Sequence, residues 1–236
     1  MGTYDVVYSF RHGERGEQSQ VFTVTIDADT VIRKPSAKEA APPQWTALGF
    51  QQCPNCPLKA ETHPTCPVAQ SLVSVVDFGN QFKSYNKVGI AVTTEERSIA
   101  AETTAQVAFG SLIGLLTATS GCPHTAFLKP MARFHLPFAS LEETIYRVFA
   151  MYLLAQYFRA QAGEKADFDL GGLKRMYENI ETVNLWMTRR LHAASQTDAS
   201  LNAVIVLDTF AKTMLAVIDE KVDELKHLFA AYLPKS

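Results

Sequence analysis

The chain has 236 residues, a formal charge of −2 and an apolar fraction of 47%. That length supports one large domain or two small ones, and the core it can bury makes neither a metal nor a disulfide necessary for folding. Near-neutral, well-mixed charge excludes a general nucleic-acid binder, which would show a basic excess.

The opening stretch MGTYDVVYSF has no basic n-region and no apolar h-region, so no signal peptide is expected. Val6 stands where a myristoylation pattern needs Ser or Thr. The longest apolar runs, Val107–Leu116 and Ala203–Leu207, are too short to span a bilayer. A cytoplasmic location is expected, with no membrane and no nucleic-acid partner.

The first third reads as β. Tyr4, Val6, Tyr8 and Phe10 alternate, then Phe22, Val24 and Ile26, and Val31-Ile32 opens a third strand after a turn at Asp27-Ala28-Asp29. An antiparallel meander is predicted. Pro35–Pro43 is a connector, and the stretch from Trp45 to Cys66 is an irregular loop kept so by its prolines. Pro67 suits the first turn of a helix running to about Phe82. Val88, Ile90 and Val92 form a further strand. Ile99 and Ala101 suit another, or a helix. Ala105–Thr119 is an apolar helix ending at Gly121.

From Ser140 the pattern is helical. Ser140-Leu141-Glu142-Glu143 is a capping box opening a helix that stops at Gly163. Leu170, Leu173, Tyr177, Ile180, Val183, Met187 and Leu191 mark a second long helix. Thr197 or Asp198 caps a third, with Leu201, Val204, Ile205, Leu215, Ile218, Val222 and Leu225 buried and no break before Pro234. The predicted fold is α+β: a meander with a cysteine-rich loop and two helices over residues 1–136, then a bundle of three long helices over 137–236. The apolar junction predicts that the two parts pack together.

The chemistry is concentrated in four cysteines, each followed by proline: Cys53, Cys56, Cys66 and Cys122. With proline near 5% of residues, chance alone gives this roughly one time in 10⁵, so the pattern demands a reason. C-x2-C turns two sulfurs toward one ion, and four thiolates suit one tetrahedral metal or one four-iron cluster. Proline after a ligand is familiar beside cluster cysteines, whereas zinc knuckles usually carry glycine after the second cysteine, where Pro57 stands here. In a reducing cytosol a metal site is favoured over disulfides. The metal candidates are therefore Cys53, Cys56, Cys66 and Cys122, holding a 4Fe-4S cluster or zinc. Without Cys122, His63 or His124 would be needed to complete the set.

A second constellation centres on His135 in the apolar run Arg133–Phe138, with Glu142, Glu143, Tyr146 and Arg147 one or two helical turns on. Glu143 is already explained by its cap, and Glu143 with Arg147 is an ordinary i,i+4 pair. Asp208 and Asn184 fall on buried helix faces, either lining an internal cavity or satisfied within the core. Phosphate-loop, dinucleotide and nucleophile-elbow motifs are absent, so no nucleotide cofactor is expected.

The stretches Trp45–Leu48, Gln52–Leu58, Cys66–Ala69, Ser120–His124 and Pro130–Ser140 resemble a bacterial family built on a domain of unknown function, over nearly the whole chain. The resemblance implies a bacterial cytosolic protein and supplies no activity. The leading expectation is a cytosolic protein with a four-cysteine metal centre in a structural, redox or sensory role. The alternatives are an enzyme with a small-molecule pocket around His135, for which Glu142 and Asp208 are further catalytic candidates, and a module whose helices pair with another copy or a protein partner.

Overall fold

The structure is a computed structural model that describes residues 2–13, 18–35, 42–194, 208, 211–218 and 223–234. Strand β1 (Thr3–His12) pairs antiparallel with β2 (Gln18–Asp27), Val6 facing Val24 and Tyr8 facing Phe22. β3 (Lys87–Thr93) joins the other edge of β1, and β4 (Ser98–Thr104) pairs with β3. The sheet order is therefore β2-β1-β3-β4.

This corrects the expected meander. After β2 the chain leaves the sheet and returns only after the cysteine loop and a helix, so β1 sits inside and β2 takes the edge. Val31-Ile32 is not a strand. Val31 adopts a φ of 52°, a left-handed conformation that a β-branched residue resists, and only the bridge Ile26–Arg33 continues the pairing. The Asp27 carboxylate fixes that corner by accepting from the Asp29 and Thr30 amides and the Thr30 hydroxyl.

One sheet face is buried under α1 (Pro67–Gly79) and α2 (Ala105–Ala118). Pro67 opens α1 because its missing N–H is not needed in a first turn, and Val68, Leu72, Val75 and Val76 point inward at helical spacing. Phe10 stacks on Phe109 at 5.3 Å and meets Phe78 edge-on at 5.4 Å. Each such fully buried side chain stabilises the fold by about 1.5–3 kcal/mol.

α3 (Lys129–Arg133) leads to α4 (Leu141–Gln161), which starts with the expected capping box: the Glu143 amide donates to the Ser140 hydroxyl, and the Ser140 amide to the Glu143 carboxylate. α4 ends before Gly163, whose φ of 77° closes it. Asp167 then joins α4 to α5 (Gly171–Ala194) by accepting from the Tyr152 hydroxyl and the Gly172 amide. A Cβ on Gly172 would collide with that hydroxyl, so the turn requires glycine.

α5 serves two cores. Leu173, Tyr177 and Ile180 pack with Ile145, Val148 and Phe149 of α4, while Met187 and Leu191 join the core beneath the sheet. Of the third expected helix the described residues show two pieces: residues 211–218 are helical, and Asp223–Phe229 wind as a 3-10 helix. Leu201, Val204 and Ile205, with the expected caps Thr197 and Asp198, lie outside the described residues. No described helix is long and apolar enough to cross a membrane.

Candidate metal centre and neighbouring pocket

The cysteine loop is held by its backbone ends. Ala47 and Thr65 form an isolated antiparallel bridge, the Cys66 amide donates to the Thr46 carbonyl at 2.7 Å, and the Leu48 amide to Pro64 at 2.9 Å. Inside it, the Cys56 amide donates to the Cys53 carbonyl at 3.0 Å, the turn that C-x2-C predicts. Cys66 is the residue immediately before α1, at the positive end of that helix. Cys122 follows Gly121, whose φ of 88° turns the chain sharply after α2.

These pieces meet. His124 Nε2 lies 2.6 Å from the Asn55 carbonyl, so the imidazole donates there and ties the Cys122 segment to the Cys53–Cys56 turn. Asn55 in turn donates to Asn179 on α5 at 2.8 Å. Burial pushes the Cys53 thiol up to about 12, and the nearby Cys66, Cys122 and Cys56 add to the rise. Cys122 is raised by burial and again by Cys66 and Cys56, while the backbone of His124 and Thr125 offsets part of the rise. The four thiols are thus electrostatic neighbours although 55 residues separate the last two.

They do not form a closed single-ion set. Among the described residues, no group of three or more His, Cys, Asp or Glu side chains is arranged to hold a metal ion. Neither histidine serves as a substitute: His63 is exposed with Nδ1 on the Thr62 hydroxyl at 2.9 Å, and His124 is engaged with Asn55.

The loop is built around Arg190 of α5, which sequence reasoning missed. Its Nη1 donates to the carbonyls of Trp45 at 2.6 Å and Ala47 at 2.7 Å, and Nη2 reaches Leu48 and Gln51 at 3.4 Å. Gln51 holds a φ of 47°, a strained conformation that orients part of this cage. The residue is only 2% exposed and has no carboxylate at ion-pair distance among the described residues. Burial lowers the guanidinium pKa, while Cys66, Cys53 and Cys56 raise it. The signal was present: Arg190 follows Met187 by three residues and Val183 by seven, which places a permanent cation on the apolar stripe.

His135 sits elsewhere, beside a cavity of about 320 Å³ bounded by α2, α4 and α5 and the segment after α3. Its Nε2 is 2.5 Å from the Tyr8 hydroxyl, which also meets Ser111 Oγ at 3.1 Å. Burial, then the Arg147 charge, lowers the imidazole to about 4, so it is neutral at pH 7. Arg147 does not pair with Glu143 at ion-pair distance. It donates to the carbonyls of Met131 and Phe134, and Glu143 is committed to the cap. Glu142 is exposed in the first turn of α4. Asp208 pairs with Lys212 at 2.7 Å, leaving Oδ1 unpartnered. Asn184 lines the cavity, and neither carboxylate does.

The fold is that of an α+β protein in which a cysteine-bearing loop is held by a buried arginine and tied to the segment after α2. The chain belongs to the family described as a domain of unknown function, DUF6901, whose model matches residues 6–230. No curated protein and no solved structure matches it.

Proposed function

We propose that Cys53, Cys56, Cys66 and Cys122 hold one metal centre, a four-iron, four-sulfur cluster in preference to a zinc ion, in a redox or sensory role. The observation that carries this reading is Arg190. A guanidinium keeps its charge when buried, and uncompensated buried charge costs several kcal/mol. The four carbonyls around it supply hydrogen bonds and no net charge. Four thiolates around a divalent ion carry a net charge of minus two, as they do around a four-iron cluster in its oxidised form. Such a centre supplies the countercharge that the described residues lack, beside a guanidinium whose charge Cys66, Cys53 and Cys56 favour.

The backbone of His124 and Thr125 lowers the Cys122 thiol against the effect of its burial, which favours the thiolate and supports the same reading. Cluster is preferred to zinc on size. Zinc needs all four sulfurs about 2.3 Å from one point, which these neighbours would reach only by closing in. A cluster places four irons between its ligands and accepts a wider set. Cys53, Cys56 and Cys66 are half-buried, which keeps the centre near the surface and within reach of an electron-exchange partner.

Anaerobic purification, iron, sulfide and zinc analysis, and visible spectra before and after dithionite test the proposal. The expected result is a brown protein with iron and labile sulfide in equal amounts, bleached on reduction. One zinc per chain would keep the centre and remove its redox role. A colourless protein with four free thiols and neither metal would overturn it.

A further inference from the structure

We infer that the cavity beside His135 is a binding site for a small apolar monocarboxylate, separate from the cysteine centre. Its walls are largely apolar, with Leu115, Leu128, Met131 and Ile180 among them, and its volume of about 320 Å³ lies within the ordinary range for small-molecule sites. The polar groups on it are few and point to one charge. Asn184, 6% exposed, lines the cavity with its Nδ2 unpartnered. A buried amide donor without a partner is costly, and a turn of the Asn184 side chain toward the cavity lets an arriving acceptor satisfy it. Arg147 also lines the cavity, half-buried, with no carboxylate at ion-pair distance among the described residues. The imidazole of His135 is held by Tyr8, and among the described residues no acidic side chain lines the space.

Among the described residues, one cation, one unpartnered amide donor and no carboxylate favour an acceptor-bearing anion over an amine. The apolar walls select an alkyl or aryl tail over a sugar or a phosphate ester. A guanidinium fork matches a carboxylate in shape as well as charge.

Gly110 of α2 lines the same cavity, and a Cβ built on it meets nothing within 4 Å, so a larger side chain there enters the empty space. Calorimetric titration of the purified full chain with octanoate, octanol and octylamine tests the inference. Octanoate is expected to bind with Kd on the order of 0.1 mM, octanol at least about tenfold more weakly, and octylamine not at all. Gly110→Leu should weaken octanoate about tenfold or more without lowering Tm. Asn184→Leu should weaken octanoate while raising Tm by about 2–4 °C, because it removes an unsatisfied buried donor. No octanoate binding, equal affinity for octanol and octanoate, or unchanged octanoate binding in Gly110→Leu would each overturn the inference.

Discussion

At His135, burial sets the protonation state. With the folded pKa near 4 and the ordinary value at 6.5, the folded protein binds that proton more weakly than the unfolded chain does. The imidazole therefore contributes stability that is complete above about pH 6.5 and is lost as pH falls toward 4. Urea unfolding at about pH 7 and about pH 5 should show the parent losing stability on acidification, and His135→Gln should show a smaller loss. An unchanged pH dependence in the variant would mean that other groups produce it. Single residues were unevenly legible. Four Cys-Pro pairs announce themselves in any reading. Arg190 does not, because one cation on an apolar stripe says nothing of four carbonyls that lie about 140 positions earlier. Asn184 was visible as a polar residue on a buried face, but its unpartnered amide depends on neighbours from α2 and α4.

At the scale of elements, local signals succeeded where local chemistry decides. The capping box at Ser140, the proline start of α1 and the glycine stops after α2 and α4 were readable because each rests on three or four adjacent residues. Sheet order was not readable, since the pairing of β3 with β1 depends on where the chain returns after about 60 residues. The Val31 strand failed because a turn held by Asp27 outweighed β-propensity. The cysteine loop has little secondary structure of its own, and Arg190 substitutes for it by collecting carbonyls at four positions. Arg190→Lys keeps the charge but loses the planar fork that reaches them. The expected outcome is a destabilisation of about 3 kcal/mol in chemical unfolding, with hydrogen exchange rising over residues 45–66 more than in the sheet. Uniform exchange changes across the chain would argue that Arg190 is an ordinary core residue.

Across the whole molecule, α2 and α5 each contribute to both sites. α2 lines the cavity and ends just before Cys122. α5 carries Asn184 on the cavity and Arg190 in the loop, six residues or about 9 Å apart along the helix. The sheet supports α1 and α2 through Phe10, which meets Phe78 and Phe109. Central to the proposed function is ligation of one centre by Cys53, Cys56, Cys66 and the distant Cys122, beside the charge of Arg190. X-ray absorption at the metal edge of anaerobically purified protein tests this most directly. The expected result is a first shell of sulfur alone, with iron–iron scattering behind it for a cluster, or four sulfurs at about 2.3 Å for zinc. A first shell dominated by nitrogen or oxygen, or protein without bound metal, would contradict it.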